Sequence, residues 1–374
     1  MHKVLFVVPS LMRAGAETQL VDLINGLPKE EFGKYLLSFE SGLDQLSRVN
    51  QNEVVFVHIP RRYKFDLAVA KAIAKLIDEE QIVAVHCSLQ IALFMGWLGI
   101  RLAKRKPALM VTVHTTLNRS FREEAFDWLL YQWLMRSCEK VLFVCRSQAT
   151  HWQKKFPFLK SRAVVVHNGV DVEYFRREPF EETGRKLREG LAIPPNAVVL
   201  CHIAAFRPEK GHDVLLAGFV DVLQNHPNTY LLFAGDGPLR ASIELHVWQK
   251  QLDRHIRFLG SITDVRPLLA GSAMSIVPST AETFSMAMLE SLAMEVPVIA
   301  TAVGGSSEAV QDGQTGLLVP PRDVIALALA IEQLIVDAEA RKKMGEMGRA
   351  LIKERFTQRG MQAATSEVLK SVQC

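Results

Sequence analysis

Residues 274–305 read MSIVPSTAETFSMAMLESLAMEVPVIATAVGG. MSIVP is a short apolar run closed by proline. PSTAET is polar, FSMAMLESLAM carries apolar residues at helical spacing, and VPVIAT is a second β-branched run ending in Val-Gly-Gly. Strand, loop, helix and strand in that order form a βαβ unit, so the two strands run parallel. The alternation extends outward. AVVLCHIA (197–204), TYLLFAG (229–235), IRFLG (256–260), PVIATAV (297–303) and GLLV (316–319) belong to the same series. An earlier series comprises VLFVV (4–8), VVFVHI (54–59), IVAVHC (82–87), LMVTVH (109–114), KVLFVC (140–145) and AVVVHN (163–168). Each run is apolar at both alternate positions, as strands covered on both faces are. Segments between them, such as AETQLVDLINGL (16–27), show a period near 3.6 and read as crossover helices.

Asn168-Gly169 ends the first series, and the polar stretch YFRREPFEETGRKLREGLAIPPN (174–196) separates it from the second. The expectation is an α/β protein of two doubly wound domains, 1–175 and 176–355. The segment 356–374 is helical, lacks a partner strand and is expected to pack back on the first domain. A chain of 374 residues exceeds one ordinary core, which agrees with two domains.

Composition removes several classes. Charged residues at 22% and hydrophobic ones at 49% are globular values, not those of a disordered chain. A net charge of +4 excludes a nucleic-acid binder held by a strong basic field. The charge is uneven: residues 1–175 hold 23 Lys and Arg against 17 Asp and Glu, and the remainder 21 against 23. Cysteines 87, 138, 145, 201 and 374 are odd in number and dispersed, which speaks for a reducing compartment and against a disulfide framework or zinc site. The opening apolar run stops at Pro9 and reads as a strand, not a signal peptide. IALFMGWLGI (91–100) is about half a membrane span and reads as a buried or interfacial helix. A cytoplasmic protein is expected.

Ligands of open α/β sheets sit beyond the carboxyl ends of the strands, so two such domains point to a cleft between them. Gly15, in PSLMRAGAET, precedes a helix and allows a phosphate to reach bare N–H groups, or makes a plain turn. The motif GxGxxG is absent, no acidic residue is seen to end the second strand, and GxxxxGK[ST] is absent. Nicotinamide, flavin and P-loop chemistry are therefore disfavoured. His114, followed by Thr115-Thr116, ends a strand and either serves a polar ligand or is structural, as His58, His86, His167 and His202 can be. Arg207 and Lys210 in AAFRPEKGHD lie before a helix and form an anion pocket or an ordinary solvated loop. Gly235 in AGDGP makes a tight turn that could pass under a base or ribose. Glu282 and Glu290 bracket a helix start at which the N–H groups of Phe284, Ser285 and Met286 are open to a diphosphate. The two carboxylates suit sugar or ribose hydroxyls. An acidic first turn with a Ser279–Glu282 capping box accounts for the same residues otherwise.

Taken in order, these segments resemble the retaining glycosyltransferases of the GT-B fold, family 4 type. The resemblance covers nearly the whole chain through GAET (15–18), VHNGVDVEYF (166–175), FRPEKG (206–211), FAGDGP (233–238), FLG (258–260), the Glu-x7-Glu segment with VPVIAT and VGG, and DGQTGLLV (312–319). It implies two Rossmann-like domains facing across a cleft. The implied donor is a nucleotide-sugar, a UDP-sugar in first place. The implied acceptor is a glycan or lipid-linked molecule in cell-surface polysaccharide or glycoconjugate synthesis. The family implies retention of configuration without metal or cofactor, and no Asp-x-Asp occurs. By the same resemblance Glu282 contacts the transferred sugar, Glu290 the ribose, and the backbone of Phe284 to Met286 with Gly15 the diphosphate. Lys210 neutralises the leaving group and His114 lies near the reacting carbon. The implied mechanism is a front-side displacement in which the leaving phosphate helps deprotonate the acceptor and Glu282 is not a nucleophile.

One position departs from the family pattern: Ala205 stands where an Arg is usual, and Arg207 points either to the phosphate or to solvent. A nucleotide-sugar epimerase, a sugar phosphorylase or a non-catalytic sensor on the same fold are the alternatives, with Glu282, Glu290, Lys210 and His114 together favouring catalysis. The acceptor domain is the basic half. Its runs at Arg61-Arg62-Tyr63-Lys64, at Arg101, Lys104, Arg105 and Lys106, and at 154–160 suit an anionic membrane surface or an ordinary solvated face.

Overall fold

Parallel strands form two sheets, each wrapped by helices on both faces. The computed structural model describes residues 1–63, 65–115 and 127–372; Lys64, Thr116 and Cys374, named above, lie outside the described residues. The chain divides into two units, Met1–Gly169 with Gln358–Cys374, and Val170–Thr357.

The first sheet contains β1 (His2–Val8), β2 (Phe32–Ser38), β3 (Val54–His58), β4 (Ala84–Ser88), β5 (Ala108–Val113), β6 (Lys140–Phe143) and β7 (Ala163–Val165). Their order is β3-β2-β1-β4-β5-β6-β7, and the chain reverses direction of travel between β1 and β4. β2 is absent from the sequence reading. Its run FGKYLLS is broken by Lys34, which is nonetheless fully buried. The Lys34 ammonium donates to the Leu27 carbonyl at 3.0 Å and to Glu53 Oε2 at 2.8 Å, which is what makes burying the charge tolerable. Glu40 follows β2, so the expectation that no acidic residue ends the second strand does not hold. Arg61 pairs with that carboxylate.

The second sheet contains β8 (Val198–Ile203), β9 (Thr229–Ala234), β10 (Ile256–Phe258), β11 (Met274–Val277), β12 (Val298–Thr301) and β13 (Gly316–Val319). Its order, β10-β9-β8-β11-β12-β13, is the Rossmann order, with the switch point between β8 and β11. Every run of the second series is a strand here.

The chain crosses at Gly169–Val170, earlier than the 175/176 boundary expected, and again at Thr357–Gln358. The polar stretch 174–196 is ordered within the second unit. It holds the helix Glu181–Gly190, whose Gly184 would place a Cβ 2.6 Å from the Gly271 nitrogen. Arg266 lies 3.5 Å from the Tyr174 ring centre and 4.3 Å from that of Phe180. The helix Gln358–Ser371 lies along the helix Gly15–Gly26. Gln362 donates to the Asp22 carbonyl at 2.8 Å, and Lys370 meets Glu31 at 2.6 Å. The apolar segment 91–100 forms the helix Gln90–Leu102, with Ala92, Leu93, Met95, Gly96 and Gly99 buried. Among the described residues no helix is long and apolar enough to cross a membrane.

Candidate functional site

In the second unit, four loops leave the carboxyl ends of β8, β9, β11 and β12 at the switch point of the sheet. Backbone contacts fasten them to one another. Gly211 has φ +69°, and a Cβ there would sit 2.1 Å from the Pro278 carbonyl oxygen. Thr280 N–H donates to the Glu209 carbonyl at 2.9 Å. Gly304 has φ +55°, and a Cβ there would sit 1.8 Å from the Glu282 carbonyl oxygen. Gly305 N–H donates to the Thr283 carbonyl at 2.7 Å, and the Thr301 hydroxyl donates to the Ser279 carbonyl. Glycine at 211 and 304 therefore meets both a left-handed conformation and a close approach.

This fastening brings Lys210 and Glu282 together across 72 residues of sequence. The ammonium lies 2.6 Å from Glu282 Oε2, and both side chains are largely buried. Glu282 also accepts the Thr283 N–H at 3.2 Å and the Ser279 hydroxyl at 3.5 Å. Arg207 is different: it is exposed, and its side chain has no partner among the described residues. Gly235 forms the turn after β9, its N–H donating to the Gly260 carbonyl at 2.8 Å.

The helix beside this pair is Met286–Ala293, two residues later than the start near Phe284 expected from sequence. Ser285 is its cap, with the hydroxyl accepting the Met288 N–H at 3.4 Å. Phe284 precedes the helix, with its buried ring 5.4 Å from that of Phe356. The first-turn donors are thus Met286 and Ala287, and Ser285 acts through its side chain. The capping box proposed for Ser279 and Glu282 is not the cap of this helix. Glu290 is the fifth helical residue, about 6 Å along the axis from Met286, and is partly buried.

Under Lys210 lie two buried histidines. His202 on β8 donates from Nδ1 to the Ile276 carbonyl of β11 at 2.8 Å, which fixes its tautomer. His212 opens the helix His212–Asn225. Its ring is stacked on Phe206 at 4.2 Å and meets His202 edge-on at 4.6 Å. Burial pulls His212 down to about 4 and His202 well below the ordinary range, so both are neutral at pH 7.

In the first unit, Gly15 is exposed as the first residue of its helix, beyond β1 at that sheet's switch point. His114 directly follows β5. Burial pulls its imidazole down to about 4, and Nε2 has no partner among the described residues. The backbone on either side is pinned. Gln148 donates to the Val113 carbonyl at 2.9 Å and the Thr115 carbonyl at 3.1 Å, and Trp152 Nε1 donates to Thr115 at 3.3 Å. Sequence reasoning missed Gln148, Trp152 and Thr301, and gave no role of their own to Gly211 and Gly304, which stand in FRPEKG and VGG. Only the two glycines, each beside a loop already singled out, left a signal there.

Comparison with known proteins gives the family of the chain. The profile described as Glycosyl transferases group 1 matches residues 184–351, and that of Glycosyltransferase Family 4 matches residues 13–174. The chain is 27% identical over 298 residues to the putative glycosyltransferase EpsD of Bacillus subtilis, covering 77% of each chain. It is 28% identical over 295 residues to N-acetyl-alpha-D-glucosaminyl L-malate synthase of Bacillus anthracis, covering 78% of this chain and 75% of that one. Its fold is shared with Anabaena HepE solved in complex with UDP and glucose. That likeness has a TM-score of 0.86 at 21% identity and covers 99% of this chain and 100% of that one. Two consecutive profiles, matched in order on the two Rossmann-like units, place the chain in the GT-B glycosyltransferases of family 4, group 1 type.

Proposed function

We propose that this glycosyltransferase moves a sugar, with retention and without metal or cofactor, from a UDP-sugar to a glycan or lipid-linked acceptor in cell-surface glycoconjugate synthesis. The single observation that carries the donor reading is the Lys210–Glu282 pair at the β8/β11 switch point, beside the N-terminus of Met286–Ala293. Without a donor the two charges satisfy each other. A diphosphate takes Lys210 from Glu282, and the freed carboxylate accepts from sugar hydroxyls. As the glycosidic oxygen leaves, negative charge grows on the phosphate. A lysine and a helix N-terminus aimed there stabilise the transition state more than the ground state. Glu290 holds the ribose, Gly235 lets the nucleotide pass close to the backbone, and Gly15 offers its helix N-terminus to the diphosphate. His114, neutral at pH 7, contacts the transferred sugar as a hydrogen-bonding group rather than as a cation. Arg207 is free to reach the phosphate in place of the arginine absent at Ala205. The leaving phosphate assists the acceptor's deprotonation, so no protein nucleophile is required.

HepE in complex with UDP-glucose, similar in fold at a TM-score of 0.85, supports the UDP-sugar class. The basic balance of the first 175 residues supports a peripheral association with the inner face of a membrane, where a lipid-linked acceptor resides. A thermal-shift panel of nucleotide-sugars tests the donor: a UDP-sugar raises the melting temperature and other bases do not. NMR of the product then reads the anomeric configuration. Stabilisation by a different nucleotide, or inversion, overturns the corresponding part.

A further inference from the structure

Between β5 and β6 the register pairs Val113 with Phe143. The Phe143 carbonyl accepts the Val166 N–H at 2.9 Å on the β7 side, so the next N–H along the strand, that of Val144, faces β5. An unbroken parallel ladder would carry that N–H to the Val113 carbonyl. Here it goes to Gln148 Oε1 at 2.9 Å, and Gln148 Nε2 donates to the Val113 carbonyl at 2.9 Å. A side-chain amide thus stands in the ladder as its last rung, at the carboxyl edge of the sheet. Nε2 also donates to the Thr115 carbonyl at 3.1 Å. One amide nitrogen therefore holds the carbonyls immediately before and after His114.

Gln148 is the third residue of the helix Arg146–Lys155, which starts just beyond β6, and its side chain is fully buried. One turn later on the same helix, Trp152 Nε1 donates to the Thr115 carbonyl at 3.3 Å. The Trp152 ring is itself buried, 5.8 Å from the ring of Tyr131 and 5.8 Å from that of Phe156. The backbone hold is thus anchored in packed aromatic side chains.

A carboxamide offers one oxygen acceptor and two hydrogens. This place presents one N–H and two carbonyls, so the match is complete, and it also fixes which amide atom is the oxygen. Glutamate would set a carboxylate against two carbonyls, asparagine is one methylene short, and methionine has the length without the donors. A plain backbone rung would satisfy Val144 and Val113 with no side chain at all. What the amide adds is the hold on Thr115, and with it the course of the chain through His114. His114 Nε2 has no partner among the described residues, so the placing of the ring falls to that backbone. We propose that Gln148 is a positioning residue for sugar transfer, fixing the turn that presents His114. This rests on the reading of His114 as a contact of the transferred sugar and names what holds it there.

The test reads UDP release from UDP-glucose by the full chain, UDP affinity by calorimetry, and the ring nitrogen resonances of His114 by NMR. Gln148→Met is expected to lower kcat by about ten- to a hundredfold, the cost of displacing a reacting group by about 1 Å, while UDP affinity is unchanged. The His114 resonances, assigned by their loss in His114→Ala, shift or broaden. Gln148→Met added to His114→Ala costs nothing further, because the amide acts through the histidine. Ile77→Ala, buried in the helix Leu67–Glu79 near the opposite edge of the sheet, lowers the melting temperature and leaves kcat and the His114 resonances as in wild type. If Gln148→Met does not fold, Trp152→Phe removes only a bond to Thr115 and shows the same changes to a smaller degree. Unmoved resonances, or a full additional loss in the double variant, overturn the positioning role. A rate lost in His114→Ala and kept in Gln148→Met overturns it alone, whereas a rate kept in His114→Ala overturns the reading of His114. No turnover of UDP-glucose by wild type defeats that donor, and the resonances then decide the positioning role.

Discussion

Lys210→Met keeps most of the side chain's reach and removes its charge, so it isolates what the ammonium does. At 2.6 Å from Glu282 Oε2, the attraction is about 6 kcal/mol at an effective dielectric near 20. Desolvation of both groups cancels most of that, and side-chain exposures of 23% and 11% add solvent screening. A net coupling of about 1–3 kcal/mol remains, the range of a hydrogen bond between charged groups. The cycle of Lys210→Met, Glu282→Gln and the double variant, read by urea unfolding, measures it directly. The same variants make opposite predictions for UDP. Lys210→Met loses the phosphate's partner and weakens UDP by about 1–3 kcal/mol, roughly 5- to 150-fold. Glu282→Gln releases Lys210 from a competitor, so calorimetry shows UDP bound equally well or more tightly while turnover with the sugar donor falls. A coupling below about 0.3 kcal/mol with unchanged UDP affinity in Lys210→Met refutes the pairing as a functional device. Equal weakening of UDP by both variants refutes the exchange of partners.

Glu290→Ala weakens UDP by about 1–3 kcal/mol in calorimetry on the folded variant, the loss expected for a charged group that accepts from ribose. Gly304→Ala forces a Cβ to within 1.8 Å of the Glu282 carbonyl at a φ of +55°. It lowers stability by about 1–3 kcal/mol, and turnover falls because the Glu282 loop moves, as a thermal melt and a rate assay on one sample show. Buried His86 at about 3 and His212 at about 4 are neutral in the fold, whereas an unfolded histidine titrates near 6.5. The unfolded chain therefore binds more protons below that value. Stability is complete above pH 6.5 and declines as pH falls toward 4, with a slope of up to about 1.4 kcal/mol per pH unit for each histidine. Urea midpoints from pH 7 to 4.5 report it, and His212→Phe makes the slope shallower.

The parallel, two-sheet architecture was legible because fully covered strands are apolar at every position, and such runs stand out. β2 failed that test for one reason: Lys34 is buried with a carboxylate and a carbonyl that lie elsewhere in the chain, and a sequence run cannot display its distant partners. The same limit applied to the site. Lys210 and Glu282 were singled out because they follow strand ends, and Glu290 because it lies on the helix that comes next, yet nothing in two separate loops announces that Lys210 and Glu282 meet at 2.6 Å. Ser279 and Ser285 are equally good caps by residue type, and the expected start near Phe284 matches neither. What decides between them is Phe284, drawn into the core against Phe356, which leaves Ser285 at the turn. The contacts that bring the charged pair together are backbone against backbone, at Gly211 on Pro278 and Gly304 on Glu282. Such contacts select only the absence of a side chain. The glycines flanking the chemical residues were therefore the part of the site's geometry already written in the sequence. They indicate which loops touch, and the charges follow from that contact.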